Sequence, residues 1–275
     1  MFISIDMCGG LGNQLFQVAF VYSLCYKHNK IPVFLKIKSS PSIFKNRPIY
    51  FDNILKNITS NLYNCAEYQK IQFCVKNELI SGYNDIILDN IHQSYKFIGY
   101  FQSEKYFKEY RKQILELFSL SDIYNKQIKY IYDTVRGQFN ETVSMHIRRG
   151  DYLQLSHFHT NLSRDYYDIA ATYFLDNVLF IIFSDDIEWC KNNLCYKNMK
   201  FVENITVDNL PKEVVELKLM SLCNHNIIAN SSFSWWGAWM NEHEGKKIIA
   251  PKKWFEDEKR NNDFRDIYGL NWIII

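Results

Sequence analysis

The chain has 275 residues, of which 47% are hydrophobic and 23% are charged, a composition typical of a globular protein with one or two cores. General disorder is therefore excluded. Its 32 Lys and Arg residues against 30 Asp and Glu leave a formal net charge of +2, so bulk charge does not indicate a partner such as nucleic acid. An anionic ligand would need a local cluster of cations.

The cysteines and the N-terminus predict a cytoplasmic location. The seven cysteines are odd in number and include no C-x-x-C pair, so they are expected to be reduced thiols rather than a disulfide framework or a zinc site. The N-terminus has no basic segment followed by an apolar run of signal length, and no stretch is long enough to predict a transmembrane helix.

In the first half of the chain, hydrophobic periodicity predicts two strands and three helices. In chain order these are strand 2–5, helix 13–28, strand 31–35, helix 103–120 and helix 121–139. The glycine-rich segment Gly9-Gly10-Leu11-Gly12 forms the turn between the first strand and the first helix. Residues 40–100 mix short apolar runs with polar residues and predict no regular element.

The second half alternates strands with helices. The predicted elements are strand 143–147, helix 164–176, strand 178–183, helix 185–193, strand 200–202, helix 211–223, strand 226–229, helix 233–241 and strand 246–250. Such alternation predicts a parallel sheet with right-handed crossovers. The fold class is therefore α/β, and two α/β halves, residues 1–140 and 141–275, are expected to face each other across a cleft.

Parallel sheets bind ligands beyond the carboxyl ends of their strands, which directs attention to the segment His146-Ile147-Arg148-Arg149-Gly150-Asp151. Two guanidinium groups beside an imidazole suit bidentate contacts with phosphate oxygens. A solvated arginine pair, with Arg149 salt-bridged to Asp151, is an equally good interpretation.

Two further strand ends carry polar groups. In Ser184-Asp185-Asp186, one carboxylate is expected to cap the following helix, and the other is free to accept two hydrogen bonds from a base edge such as that of guanine. Ser231 and Ser232 stand at a predicted helix start, where hydroxyl and amide groups form an anion site. The tryptophans at 235, 236 and 239 are expected to pack in the core rather than to stack on a sugar.

The N-terminal glycine segment continues with Asn13 and Gln14, and it fits neither the dinucleotide-binding fingerprint nor the P-loop. An ordinary tight turn is the default explanation, although glycines also let a backbone approach a ligand and the two amides could bind hydroxyls. No Asp-x-Asp string occurs. The sequence therefore predicts a mechanism without a metal ion or an organic cofactor.

Taken together and in this order, these segments resemble the α-1,2-fucosyltransferase family, glycosyltransferase family 11, mainly its bacterial members. The resemblance extends from residue 9 to residue 239. The matching segments are Gly9 to Gln17, Gly99 to Phe107, His146 to Tyr152, Phe183 to Asp186, and Ser231 to Trp239.

The resemblance implies a GT-B-like fold of two Rossmann-like domains, residues 1–140 on the acceptor side and 141–275 binding the GDP-sugar. It implies inverting transfer of L-fucose from GDP-β-L-fucose to the 2-hydroxyl of a galactose-containing oligosaccharide or glycolipid. Fucosylation of a surface polysaccharide or O-antigen, in the cytoplasm or at the periphery of its membrane, would be the analogous role. The alternatives are transfer of another GDP-linked 6-deoxy sugar such as colitose, and a non-catalytic glycan- or nucleotide-binding module.

The resemblance also assigns roles in the diphosphate site. Arg148 would meet the β-phosphate, where negative charge develops, and Ser231 and Ser232 would add neutral donors. Asn13, next to Gly12, would reach the fucose or the phosphate from the opposite domain.

The remaining site residues would bind the guanine of the donor or accept the proton of the acceptor hydroxyl. His146 and Asp185 would hold the guanine, and Arg149 would contact the donor or hold Asp151. The general base is left open by the sequence. Its candidates are Asp151, His157 and His159.

Overall fold

The computed structural model describes residues 1–42, 46–78 and 82–275. Its chain forms two compact units, Met1–Leu120 with Asp263–Tyr268, and Ser121–Asn262 with Gly269–Ile275. The boundary between the two units therefore follows Leu120, whereas the sequence predicts a boundary after residue 140. Helix 122–136 accounts for the difference, because the hydroxyl of its Tyr132 lies 2.9 Å from the hydroxyl of Thr142 in the second unit.

The first unit contains short strands around one long helix. The strands are β1 Phe2–Ile5, β2 Ile31–Pro32, β3 Phe34–Leu35, β4 Ser39–Ser40, β5 Arg47–Pro48, β6 Leu62–Tyr63, β7 Phe73–Asn77 and β8 Ser94–Ile98. The helices are α1 Leu11–His28, α2 Cys65–Tyr68 and α3 Arg111–Leu117, with 3-10 turns at Lys56–Asn61, Glu104–Tyr106, Lys108–Tyr110 and Arg265–Ile267.

The main sheet of this unit has the order β2-β1-β8-β7, with parallel pairings throughout. The first strand and helix are confirmed. The predicted strand 31–35 divides into β2, which pairs with β1, and β3, which pairs with β6 in another sheet. The inner strand β8 falls in the region without predicted elements, although its short alternation of polar and apolar residues, Ser94 to Phe97, is typical of a strand.

Most elements of the second unit overlap the predictions. Its strands are β9 Thr142–Ile147, β10 Leu179–Ser184, β11 Met199–Phe201, β12 His225–Ile227, β13 Ile248–Ala250 and β14 Ile273–Ile274. Its helices are α4 Asp122–Arg136, α5 Gly150–Gln154, α6 Arg164–Ala171, α7 Ile187–Asn193, α8 Lys212–Leu222, α9 Ser232–Met240 and α10 Glu258–Asp263. The elements that were not predicted are α5, α10 and β14.

The sheet of the second unit has the order β11-β10-β9-β12-β13-β14 and parallel pairings, which confirms the α/β class. The chain runs outward from β9 to β11, then returns to the opposite side of β9 to form β12. The strand order therefore reverses between β9 and β12, and the carboxyl ends of these strands form a topological switch point, where open α/β sheets bind ligands.

The tryptophans of α9 pack in the core, as predicted. Trp235 and Trp236 are fully buried, and Trp239 is nearly so. The rings of Trp235 and Trp236 meet edge to face with centroids 5.1 Å apart. These side chains therefore anchor α9 and fix where its amino end lies.

Within the three described ranges, no helix combines the length and apolar character needed to cross a bilayer. The cysteines at 8, 25, 65, 74, 190, 195 and 223 are unpaired thiols.

Candidate active site

The polar segments singled out in the second half of the sequence meet at one edge of the second sheet. β9 leads directly into Arg148, β10 ends immediately before Asp185, and the segment after β12 leads to Ser231. In the register of the sheet, Phe183 of β10 pairs with His146 of β9, so both strands end at the same level. Parallel strand direction thus brings together residues that are remote in the sequence.

Arg148 lies between two carboxylates. Its Nη2 is 2.5 Å from Oδ1 of Asp151, and its Nη1 is 2.9 Å from Oδ2 of Asp185. Burial disfavours the charged form, but these carboxylates outweigh that cost and raise the pKa of Arg148 above its usual value. The side chain is 24% exposed. The site therefore contains a permanent cation, held in place and still accessible.

Arg149 is held differently. Its Nε donates to Oδ2 of Asp186 at 3.1 Å, and its Cζ lies 4.2 Å from the ring centroid of Trp189. The expected salt bridge between Arg149 and Asp151 is wrong, because Asp151 pairs with Arg148. Arg148 precedes the N-cap of α5 and Asp151 lies in its first turn, so the pair joins the end of β9 to the start of the helix.

The two aspartates after β10 divide their roles, as expected. Asp186 caps α7 by accepting the backbone N–H of Trp189 at 3.1 Å. Asp185 accepts the backbone N–H of Arg149 at 2.9 Å, and its other oxygen pairs with Arg148. Each carboxylate oxygen has a further lone pair for a ligand. Binding of guanine by Asp185 stays a prediction.

His146 is the buried imidazole of the site, 4% exposed. Burial, together with repulsion from Arg148, lowers its pKa to about 3, so the ring is neutral at pH 7. Its Nδ1 has no hydrogen-bond partner among the residues that the structure describes. A neutral imidazole offers one donor and one acceptor, so it suits recognition of a polar ligand group.

The amino end of α9 supplies the expected backbone donors. Ser231 occupies the N-cap, where its hydroxyl accepts the N–H of Phe233 at 3.3 Å, and half-buried Ser232 begins the helix. The first N–H groups of a helix have no partner within it, and its dipole favours an anion at this end. Binding of an anion by Ser231, Ser232 and this helix start stays a prediction.

The glycine-rich loop belongs to the first unit. Gly9 has a φ of 79°, a conformation that favours glycine, and buried Gly12 lies in the first turn of α1. Gln14 is buried, and its Nε2 donates to the carbonyls of Gly9 and Pro48. These bonds hold the Gln14 side chain against the turn, and binding of a hydroxyl group by its amide stays a prediction.

Asn13 is half-buried, and its Oδ1 accepts a hydrogen bond of 2.8 Å from Nε2 of Gln102. This bond sets the orientation of the Asn13 amide. Binding of the donor by Gly12 and Asn13 stays a prediction.

Sequence reasoning missed the tyrosine next to Asp151. The ring centroid of Tyr152 is 5.3 Å from Cζ of Arg148, and its hydroxyl reaches the segment before α9. The available signal was its place directly after Asp151, in the polar segment that follows β9.

No group of three or more His, Cys, Asp or Glu side chains that could hold a metal ion occurs within residues 1–42, 46–78 and 82–275.

A parallel sheet with polar residues beyond the carboxyl ends of its strands, as in the second unit, is typical of α/β proteins that bind nucleotides. Residues 4–275 match the family model described as Glycosyl transferase family 11. The chain therefore belongs to glycosyltransferase family 11, and the resemblance drawn from its sequence is confirmed.

The names of the relatives include transferases of two different sugars, colitose and L-fucose. The chain is 33% identical to the alpha-1,2-colitosyltransferase of Escherichia coli over 93% of each chain. It is 36% identical to the O-antigen biosynthesis glycosyltransferase WbnK of Escherichia coli, over 62% of this chain and 59% of that one. It is 23% identical to galactoside 2-alpha-L-fucosyltransferase SEC1 of Bos taurus, over 86% of this chain and 64% of that one.

Solved structures share the fold. Fucosyltransferase NodZ from Bradyrhizobium aligns with a TM-score of 0.52 and 12% identity, over 86% of this chain and 91% of that one. A mutant of FUT1 of Arabidopsis thaliana in complex with GDP aligns with a TM-score of 0.54 and 10% identity, over 94% of this chain and 71% of that one. These likenesses confirm the GT-B-like fold class.

Proposed function

We propose that this protein transfers a 6-deoxy sugar from a GDP-linked donor to the 2-hydroxyl of a glycan acceptor, forming an α-1,2 linkage. L-Fucose from GDP-β-L-fucose is the first candidate, with a galactose-containing oligosaccharide or glycolipid as acceptor. The observation that carries the proposal is the Arg148 guanidinium, held between two carboxylates at the switch point of the sheet in a family 11 chain.

The proposed reaction inverts the anomeric carbon. As the bond between that carbon and the β-phosphate oxygen breaks, its electron pair leaves with GDP while the sugar gains oxocarbenium character. The charged guanidinium of Arg148 would stabilise the negative charge that develops on the β-phosphate. Ser231 and Ser232, at the amino end of α9, would donate to the remaining phosphate oxygens.

Further residues are proposed to recognise the donor. His146 and Asp185 would bind the guanine, because a neutral imidazole and a carboxylate match its acceptor and its adjacent donors. Asn13, beside Gly12, would bind the fucose or a phosphate through its amide. Arg149 is proposed to act on the donor indirectly, by fixing the start of α7 through Asp186.

The proton of the acceptor hydroxyl needs a base, and Asp151 is our candidate. His157 and His159 are the alternatives, and the His159 ring is stacked on that of Tyr152. Asp151 also pairs with Arg148, so its role as a base must be separated from its role in positioning the guanidinium. The Asp151→Asn variant separates these two roles. Loss of turnover with unchanged donor affinity would indicate a base, whereas weaker donor binding would indicate a positioning role.

Colitose is the second candidate sugar, because the relative that is 33% identical over 93% of this chain is an alpha-1,2-colitosyltransferase. Colitose lacks the 3-hydroxyl of L-fucose. A pocket that makes no hydrogen bond to this hydroxyl accepts both sugars, whereas a pocket built to bind it discriminates strongly against colitose.

The test is a paired donor assay. Purified protein is incubated with a galactose-terminated acceptor and either GDP-L-fucose or GDP-L-colitose, and acceptor-dependent release of GDP is measured. We expect turnover with at least one donor, and nuclear magnetic resonance of the product should show an α-1,2 linkage. Donor binding without turnover on any acceptor would contradict the proposal and favour a non-catalytic binding module.

Metal independence is part of the proposal, since Arg148 would supply the cation that the diphosphate needs. Transfer should therefore continue in EDTA. A complete loss that added divalent cations restore would show that the diphosphate is stabilised in another way.

A further inference from the structure

Tyr152 contacts both parts of the proposed diphosphate site. Its ring centroid lies 5.3 Å from Cζ of Arg148, within the range of a cation–π interaction. Its hydroxyl donates a hydrogen bond of 3.0 Å to the backbone carbonyl of Asn230, in the segment that leads into α9. One side chain thus touches the arginine and the chain that carries Ser231.

A hydrogen bond to the carbonyl of Asn230 acts directly on the start of α9. It belongs to the same planar peptide unit as the N–H of Ser231, the N-cap of α9. The Asn230 side chain is itself anchored, since its Nδ2 donates to the carbonyls of Thr160 and Trp254, each at 2.8 Å. A bond to the Asn230 carbonyl therefore helps to set the position of the helix start.

The ring of Tyr152 is held by a stacking contact. It lies parallel to the ring of His159, with an interplanar angle of 2° and centroids 3.9 Å apart. Burial lowers the pKa of His159 to about 4, so the stacked imidazole is neutral and adds no second cation beside Arg148. Burial raises the pKa of Tyr152 to about 12, so its hydroxyl remains a donor at neutral pH.

We propose that Tyr152 is a positioning residue, which holds the Arg148 guanidinium in place relative to the amino end of α9. The cation and the helix donors can then bind one diphosphate together. This inference rests on the proposed function, and Tyr152 acts through Arg148 and Asn230 rather than on the donor itself. Such alignment matters because a misplacement of about 1 Å can cost about a hundredfold in rate.

The test compares binding of GDP with binding of GMP. These ligands differ by the β-phosphate, so the ratio of their dissociation constants measures what the diphosphate contacts add. Calorimetry gives this ratio without a donor sugar or an acceptor. We expect wild-type protein to bind GDP more tightly than GMP.

Two substitutions separate the hydroxyl from the ring. Tyr152→Phe keeps the ring and loses the bond to Asn230, which should reduce the preference for GDP about threefold. Tyr152→Leu also loses the contact with Arg148 and should reduce the preference about tenfold. Both variants are compared at a temperature where circular dichroism shows them folded, and if Tyr152→Leu does not fold, Tyr152→Phe decides.

Tyr166→Phe is the matched control. The Tyr166 hydroxyl donates at 2.6 Å to the carbonyl of Ile228, also in the segment after β12. This variant should lose stability and keep the wild-type ratio.

Two outcomes contradict different statements. An unchanged ratio in both Tyr152 variants would overturn the positioning role alone. A wild-type protein that binds GDP no more tightly than GMP would contradict the diphosphate site and, with it, the proposed function.

Discussion

At the scale of single residues, the adjacent arginines after β9 are held by different partners. Arg148 faces Asp151 and Asp185 and remains accessible, whereas Arg149 is paired with Asp186 and covers the ring of Trp189. Adjacent positions in a chain point in different directions, so a shared charge does not imply a shared role.

This difference predicts separate effects of the two alanine variants. Arg148→Ala should lower turnover about a hundredfold to a thousandfold, as the loss of one preorganised donor does, and cost about 1–3 kcal/mol of stability by removing the ion pairs with Asp151 and Asp185. Arg149→Ala should cost a similar amount of stability but lower turnover less than about tenfold. Steady-state kinetics and urea unfolding measure both quantities. Equal losses of turnover would refute the division of roles.

His146 predicts a pH dependence of stability. The pKa of His146 is about 3 in the folded protein and about 6.5 in the unfolded chain. Below pH 6.5 this side chain is therefore protonated in the unfolded chain but remains neutral in the folded protein. Stability is therefore lost as pH falls, by about 2 kcal/mol between pH 7 and pH 5 from this group. His146→Gln should remove that part of the decline, measured by urea unfolding at both pH values. An identical decline in the variant would show that His146 becomes protonated in the native state.

At the scale of elements, the start of α5 lies directly against the end of β10. A Cβ added at Gly150 would collide with Oδ2 of Asp185, the oxygen that pairs with Arg148. The absence of a side chain at Gly150 therefore permits the contact between strand end and arginine on which the proposed site depends.

Gly150→Ala should displace the Asp185 carboxylate and lower turnover by about tenfold or more, since small displacements at a reacting centre are costly. Gly237→Ala is the comparison, because its Cβ would lie 2.9 Å from Cβ of Met220, between α8 and α9. Overpacking should cost that variant about 1–3 kcal/mol, offset by up to about 1 kcal/mol of helix propensity, with activity per folded molecule retained. Full activity in folded Gly150→Ala protein would contradict this account of Asp185.

At the scale of the whole molecule, the chain returns to its first unit near the C-terminus. Residues 263–268 belong to that unit, where Ser103 donates to the carbonyl of Asp266 at 2.8 Å and Ile267 is 1% exposed. Residues 269–275 belong to the second unit, where β14 pairs with β13. A short C-terminal segment thus contributes to both units.

Two isoleucine substitutions in this segment should therefore differ. Ile267→Ala removes a fully buried side chain from the first unit and should cost about 2–5 kcal/mol. Ile274→Ala, at a residue 46% exposed in β14, should cost less than about 1 kcal/mol. Chemical unfolding measures both, and equal losses would contradict the assignment of Ile267 to a core.

The sequence by itself determined the alternation of strands and helices in the second half, the core position of the tryptophans and the strand ends that carry polar residues. Each depends on the order of nearby residues, which the period of apolar side chains records. The prediction missed β8, where the alternating pattern covers only a few residues within an irregular stretch, and it merged Ile31–Leu35, where two sheets divide one apolar run.

Only the tertiary structure decided that Arg148 pairs with Asp151 and Asp185, that Arg149 pairs with Asp186, and that residues 263–268 complete the first unit. The partners in these contacts include residues more than thirty positions apart, such as the backbone N–H of Arg149 and Asp185, separated by 36 positions. The distances between these contacting residues depend on the register and order of the strands, which a local pattern of side chains does not predict.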